Sequence, residues 1–485
     1  MAVALLAALL HIGTLGHGFT FDDPFIVVEN PAVAGDGGLL KVFATPYWTG
    51  WDEGNLYRPL TVASYWVQRR LAGVHPWSYH LVNVLLHALV TWLVCRLGER
   101  LIGWPAALAA GLLFAAHPVH VEAVANVAGR AELMAAAGAL AAWLWRERPV
   151  VSMALLAAGL LSKEIAVVLP GLLAVEDLAR GGRIRWRALV PAGAVTVAFL
   201  IIRAVVVGLG VATSYDPFIG LPAAQRVMTA VDVLGRELAL MLVPRTLSAD
   251  YSYDQIPLVG SPLHPGFLMG LAALALCGVA AMLCRRRAGG VTLGMATFFV
   301  AVLPVSNLFF GIGVMMAERL LYLPSVGACL AGGAALAAAG SALSPRQAVA
   351  ATLAVALAAA VPLSARSAWR VNDWFDQLTL FEATVRSSPR SALGHVNLGT
   401  VYHQLGRLPE AEEQFRAAEA IAPHQAGTHF NLGSVLEARG RLDEAMAAYA
   451  ESARLAPPGD PRPAAALRRL QARAAAGAGA RGGAP

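Results

Sequence analysis

Asp22 and Asp23, in the stretch FTFDDPFIVVENP (19–31), are the first carboxylates of the chain and the first side chains able to serve as an anionic base. They follow a run from Met1 to about Gly18 with no charged residue, so they fall where a membrane helix would surface into water. A carboxylate at the mouth of an apolar cavity loses hydration, and the rise in its pKa makes it a usable base toward a hydroxyl. Neighbouring side chains project in different directions, so one of the pair would act and the other orient it. The same Asp-Pro step also suits a turn or a helix start, and both readings stay open on residue type alone.

Cations accompany these acids. Arg58, in Tyr57-Arg58-Pro59-Leu60, offers the fixed fork of donors that suits a phosphate, and Lys163 in Ser162-Lys163-Glu164 is a second phosphate candidate. An arginine resting on ordinary lipid headgroups is the alternative for Arg58. His80, Asn83 and His87 share one face of a span, and a polar stripe in hydrocarbon should face the protein interior or a wet cavity. For His87 a satisfied helix–helix hydrogen bond outweighs catalysis, and His80 falls near the outer surface. His117, His120 and Glu122 cluster in HPVHVEAV (117–124), with Asn126, Arg130 and Glu132 following. A divalent metal on those three is an option, but Pro118 disrupts helical spacing and no fourth ligand is evident. Glu318-Arg319 opens a later span, where an internal ion pair is the conservative expectation.

These groups must be held by a membrane bundle. The 485-residue chain is 57% hydrophobic and 14% charged, which leaves a soluble fold too little polar surface. The net charge of +6 does not point to nucleic acid, because the arginines sit in short groups between apolar runs, as cytoplasmic loops do. Four cysteines without CxxC spacing indicate neither a disulfide framework nor a zinc site. Runs near twenty apolar residues predict about eleven spans: 1–18, 79–96, 102–117, 131–146, 150–162, 165–179, 188–207, 264–283, 291–309, 319–340 and 347–364. The first is expected to be a retained span rather than a cleaved signal peptide. Arginines at 96, 100, 146, 148, 180–187, 285–287 and 346 fall in alternate loops, which places that side and the N-terminus in the cytoplasm and Asp22 and Asp23 outside. Arg69 and Arg70 break the alternation. The long outer loops 19–78 and 208–263 hold amphipathic stretches at 56–71 and 224–243, expected to lie on the membrane surface, with a crossing as the alternative for the second.

After Pro362 a 34-residue period appears: Asn397-Leu398-Gly399, Tyr402, Gly406, Ala411, Phe415 and Pro423 are echoed by Asn431-Leu432-Gly433, Leu436, Gly440, Ala445, Tyr449 and Pro457. These are two tetratricopeptide repeats, with small residues letting paired helices approach and rings filling between them. The predicted organisation is an all-α membrane domain over 1–365, a linker and degenerate repeat helix over 366–391, repeats at 392–425 and 426–459, and a capping helix with a flexible tail (GAGARGGAP) over 460–485. The groove of the repeats should take an extended peptide or partner helix, with Asn397, Tyr402 and Asn431 as its contacts.

FDDP (21–24), YRPL (57–60), HLVNVLLH (80–87), HPVHVEAV (117–124), GRAE (129–132), SKE (162–164) and AERLLYLPS (317–325), in that order and ahead of repeats, resemble the transmembrane and tetratricopeptide repeat-containing (TMTC) proteins over nearly the whole chain. That family resembles the GT-C glycosyltransferases, which use polyprenyl-phosphate sugars, and is implicated in protein O-mannosylation. The resemblance implies that Asp22 and Asp23 serve catalysis of an inverting displacement, with Arg58, Lys163 and Arg319 meeting the departing phosphate. Tyr57, His80, His117, His120, Glu122, Glu164 and Glu318 would support the site. No cofactor is firmly expected beyond the lipid-linked donor, though a divalent metal is compatible; the partners are membrane lipid and a protein or peptide acceptor. Low charge and alanine richness suggest a bacterial inner membrane, with the repeats in the periplasm. A non-catalytic scaffold whose repeats recruit partners is the competing expectation, and it requires Asp22 and Asp23 to be dispensable. A transporter would want mid-bilayer ionisable residues and internal symmetry.

Overall fold

A computed structural model describes residues 1–49, 56–208, 217–457 and 459–481. Every regular element among the described residues is helical. The chain forms two compact units: Met1–Leu247 with Leu258–Asp376, and Ser248–Pro257 with the residues from Gln377 onward.

The first unit carries the apolar helices. Among the described residues six are long and apolar enough to cross a membrane: Pro76–Ile102, Val127–Leu144, Trp186–Val207, Pro265–Arg286, Pro324–Ala342 and Pro345–Asn372. Trp104–Ala116 and Pro118–Ala125 form a pair bent by 54°, and Ala2–Gly16, Pro149–Ser162 and Gly289–Val305 are shorter apolar helices. Length and composition therefore support fewer full spans than the eleven expected. The expected span at 165–179, for example, is a tight turn Glu164–Val168 followed by the 11-residue helix Leu169–Ala179, which at 1.5 Å per residue reaches only about half of the hydrocarbon.

Sequence accounts for how these helices begin, end and pack. Pro76 opens the 27-residue helix at a position where a missing N–H is harmless, and Gly103, at φ +83°, ends it. Its buried face includes His80, Asn83, Val84, His87, Val90, Thr91 and Val94, so the polar stripe does turn inward. Gly294 and Gly327 set another contact. A Cβ on Gly327 would lie 2.2 Å from Phe298 N, and one on Gly294 2.4 Å from Ala331 N, so these helices meet backbone to backbone.

The segment after Ala2–Gly16 is built for position rather than for crossing. Asn30 caps the short helix Pro31–Ala34, accepting from Ala32 N at 2.8 Å, while its amide donates to Tyr47 O at 2.9 Å. The amphipathic stretch forms the helix Pro59–Ala72, burying Thr61, Val62, Ala63 and Tyr65. Arg69, one of the two that break the charge alternation, donates to Val27 O and Val28 O, and Arg70 to Val33 O and Gly35 O. Their guanidinium groups close this outer layer onto itself. The stretch at 224–243 forms the helix Ala223–Leu242.

On the opposite end of the bundle Glu176 and Asp177 are buried among arginines. Glu176 pairs with Arg100 at 2.9 Å and Arg146 at 2.8 Å, and accepts from the Trp143 indole at 2.7 Å. Asp177 pairs with Arg146 and Arg185, each at 2.9 Å.

In the second unit the helix pairs Ala392–Gln404 with Leu408–Ile421, and Ala426–Ala438 with Leu442–Leu455, start 34 residues apart. Gln377–Ser387 precedes them and Arg462–Arg481 follows, the latter including residues 477–481, which the sequence reading assigned to a flexible tail; 482–485 lie outside the described residues. The unit also takes Ser248–Pro257 from the long second loop. Ala392 N donates to Tyr253 O at 2.9 Å, Asp254 N to Arg390 O at 2.7 Å, and Asp250 and Asp254 receive Ser391 and Arg390. That polar stretch, SADYSYDQIP, matches the exposed start of the repeat unit in hydrogen bonding and charge, which the boundary at 365 did not anticipate.

Candidate active site

The two aspartates differ in exposure. Asp23 is completely buried: its Oδ2 accepts from Thr20 N at 3.1 Å and its Oδ1 from Ala128 N at 2.8 Å. Burial pushes its carboxyl up to about 7, against the pull of those amides, and the charge of Asp22 pushes the same way. Asp22 is only partly buried. Both Asp23 oxygens are thus engaged by backbone amides, while the Asp22 side chain is the more accessible of the two.

Three cations stand near, each beside a glutamate. Arg58 Nε lies 3.1 Å from Glu164 Oε2. Burial opposes the Arg58 charge, but Glu164, Tyr47 and Glu132 hold its pKa above the ordinary value. Burial would raise the Glu164 carboxyl, and Arg58 holds it below the usual range. Lys163 pairs with Glu132, which only partly offsets the lowering that burial imposes on the ammonium. Arg319 pairs with Glu122, whose other oxygen accepts from Arg319 N at 2.9 Å. These pairs share one electrostatic neighbourhood: Asp22 and Glu132 act on Arg319, and Arg58 and Arg319 act on Lys163. Thr61 Oγ1 donates to Ser162 O at 2.9 Å, tying helix Pro59–Ala72 to the turn that carries Lys163. Tyr47 is buried beside Arg58, with its ring 5.1 Å from the guanidinium carbon.

Other predicted members are placed elsewhere. Tyr57 donates its hydroxyl to Phe43 O at 2.9 Å. The His80 ring contacts Gly18 O at 3.2 Å and so braces the end of the first helix. His87 meets the Tyr322 hydroxyl at 2.8 Å, the helix–helix bond the sequence favoured. His117 contacts Met241 O at 3.2 Å, and His120 lies 2.8 Å from Phe114 O and 2.7 Å from Ser325 Oγ. Those rings therefore do not converge with Glu122, and among the described residues no three His, Cys, Asp or Glu side chains are grouped to hold a metal ion. The expected Glu318–Arg319 pair is replaced by two: Arg319 turns to Glu122, and Glu318 lies 3.7 Å from Arg370 with both side chains fully buried. Glu318 thus belongs to the interior rather than to the cation cluster.

Sequence reasoning assigned no part in the site to Glu132, Tyr47 or Arg130. Glu132 carried a signal, as an acid opening an apolar helix; Tyr47 carried none.

In the repeat unit Asn397 and Asn431 occupy equivalent half-buried positions, and the Tyr402 hydroxyl donates to Glu382 at 2.9 Å. The open cavity of this unit, about 460 Å³, is lined instead by His403, Phe430, Ser434, Glu437, Tyr449, Arg469 and Arg473 among others.

A tetratricopeptide repeat family model matches residues 390–457. A protein O-mannosyl-transferase of Caenorhabditis elegans is 29% identical over 436 residues, covering 84% of this chain and 61% of that protein. Protein O-mannosyl-transferase TMTC3 of Homo sapiens is 28% identical over 486 residues, covering 83% and 53%. The chain thus spans less than two thirds of the length of these curated relatives. Among solved structures, ArnT from Cupriavidus metallidurans aligns with a TM-score of 0.41 at 16% identity, covering 94% of this chain and 81% of that one.

Proposed function

We propose that the chain is a member of the TMTC family and, from that premise, a GT-C-type membrane glycosyltransferase that moves a sugar, mannose by family, from a polyprenyl-phosphate donor to a hydroxyl of a protein acceptor. Asp22 is the base: it takes the hydroxyl proton as the acceptor oxygen bonds to the anomeric carbon and the bond from that carbon to the phosphate oxygen breaks. Polyprenyl phosphate leaves on the opposite face, so the configuration inverts. Arg58, Lys163 and Arg319 meet the charge that grows on the departing phosphate, and Asp23 orients Asp22. The observation that carries the reading is that Asp22 acts on Arg319, which with Arg58 acts on Lys163, so that groups from segments far apart in sequence share one neighbourhood.

The wider arrangement follows from the same reading. If the bent pair, the shorter apolar helices and the segment Glu164–Ala179 pass with the six long helices, about eleven passes result, and with the N-terminus in the cytoplasm of a bacterial inner membrane they put this cluster and the repeats on the periplasmic side. The repeats hold the acceptor through Asn397, Tyr402 and Asn431. Transfer from polyprenyl-phosphate mannose to periplasmic acceptors by purified protein in lipid tests it. Asp22→Asn should abolish transfer while donor binding and folding persist. Undiminished activity in that variant would move the base elsewhere, and wild-type inactivity across sugars and acceptors would favour a scaffold.

A further inference from the structure

Behind Asp23 lies a buried arginine that the proposed chemistry does not use. The two are joined by the turn Asn126–Gly129, whose Ala128 N–H is shared between Asp23 Oδ1 at 2.8 Å and Asn126 Oδ1 at 2.9 Å. The turn is gripped from its other side. Asn83 Nδ2 donates to Asn126 O at 3.0 Å and Val124 O at 3.3 Å, and the Tyr65 hydroxyl donates to Val127 O at 2.8 Å. Asn83 Oδ1 in turn accepts from Arg130 Nε at 3.1 Å. Arg130 is 1% exposed, donates to Ser64 Oγ at 3.2 Å and Tyr79 O at 3.1 Å, and lies 4.6 Å from the Tyr65 ring. All three of those acceptors are neutral oxygens.

A guanidinium stays charged at any accessible pH, and burying one among neutral partners is unfavourable unless negative charge lies within reach. Asp23 supplies it, acting on Arg130 through space. Asp22, on its own loop, bears on Asp23, and Asp23 in turn acts on Tyr47 of the next loop, Tyr65 on helix Pro59–Ala72 and Arg130 on helix Arg130–Leu144, while helix Pro76–Ile102 contributes the neutral Asn83. Arg130 is the cation in this set; Arg58 and Arg319 act on Tyr47 and are paired with Glu164 and Glu122.

We propose that Arg130 is the positioning residue of this site: through Asn83 and the Asn126–Gly129 turn it fixes the Asp23 carboxylate, and by its charge it favours the ionised form. Asp22 is then presented in one geometry, beside an acceptor-only neighbour. This consequence for Asp22 rests on the glycosyltransferase reading; the link from Arg130 to Asp23 does not.

The test uses the full chain in lipid nanodiscs. The protonated Asp23 carbonyl band, assigned by its absence in Asp23→Asn, is titrated by infrared spectroscopy in wild type, Arg130→Gln and Arg130→Lys. Removing the opposite charge should raise the proton affinity of Asp23 by about threefold or more, while lysine, which retains the charge, should leave it near wild type. An Asp23 titration identical in wild type and Arg130→Gln overturns the inference. Turnover is read alongside, with polyprenyl-phosphate mannose and a Ser/Thr peptide: Arg130→Gln should lower kcat and move the acidic limb of its pH profile up correspondingly at unchanged donor KM. Should Arg130→Gln not fold, Asn83→Ala carries the kinetic test, with lowered kcat at unchanged KM supporting the inference and unchanged kcat overturning it. Wild-type inactivity refutes the glycosyltransferase reading, and the infrared titration then judges the Arg130 link by itself.

Discussion

Asp23 should make the folded state lose stability as pH rises from 4 to 8. Burial lifts its carboxyl from 3.8 to about 7. The folded chain therefore holds this proton more tightly than the unfolded chain. The stability it contributes is full below about pH 4, falls as pH rises and is gone above about pH 7, opposite to a salt-bridged aspartate. At about 1.4 kcal/mol per pH unit, the interval from 3.8 to about 7 corresponds to roughly 4 kcal/mol. Asp23→Asn abolishes that slope. Its oxygen can accept from Thr20 or Ala128, but its NH2 then faces the other amide N–H, at a cost of about 1–3 kcal/mol. The variant should be less stable than wild type at pH 4 and at least as stable at pH 8, so the two curves cross. Thermal unfolding midpoints in nanodiscs across that range read the difference, in which the other titrating groups cancel. Parallel curves would refute the assignment of a desolvated carboxyl at Asp23.

Gly399→Ala should lower the unfolding midpoint of the repeat unit, since a Cβ there would lie 2.8 Å from the Phe415 ring, an overpacking worth about 1–3 kcal/mol. Gly427→Ala, with nothing within 4 Å, should be neutral or stabilising by up to about 1 kcal/mol. Arg319→Ala strands the fully buried Glu122 carboxylate and should cost about 3–5 kcal/mol, whereas Glu122→Gln combined with Arg319→Met should recover most of it in the same unfolding assay. Arg146→Met should be comparably damaging, because Glu176 and Asp177 both lose a cation at under 3 Å; wild-type stability in that variant would remove the network from the account of the fold.

What could be read along the chain was whatever local spacing records. The repeats declared themselves because Gly399 and Phe415 recur as Gly433 and Tyr449 at a fixed period, and a Cβ on either glycine would strike its ring. The inward stripe of His80, Asn83 and His87 was legible for the same reason, since helical spacing puts polar groups on one face and hydrocarbon disfavours the other. Span number was less legible. Composition marks apolar runs, but whether 102–125 is straight or bent by 54° depends on Pro118 and on what packs around it. Ser248–Pro257 was attributed to the membrane domain because it lies between apolar runs; its hydrogen bonds to Arg390 and Ala392 leave no local trace. Nor could adjacency tell Glu318 and Arg319 apart, although one faces Arg370 in the interior and the other faces Glu122.

The pairing of the cations was the least legible feature, and it changes the chemistry to be expected. Arg58 and Lys163 are phosphate candidates by residue type and Arg319 by the family resemblance, yet each is already beside a carboxylate: Glu164, Glu132 and Glu122. With Asp22 added, carboxylates near the cluster outnumber its cations, so on the proposed reading a phosphate monoanion arriving there would share each cation with an existing partner. Such sharing holds the cations in place before the donor binds, and it weakens ground-state attraction more than attraction to the fuller negative charge of the departing phosphate. Glu132→Gln, which frees Lys163, should then tighten donor binding and lower its KM about three- to tenfold, equivalent to about 1 kcal/mol. It should also lower kcat, because part of the preference for the transition state becomes uniform binding. Steady-state kinetics with polyprenyl-phosphate mannose separates the two effects. A donor KM that rises in Glu132→Gln would mean that Glu132 serves to hold Lys163 rather than to compete for it.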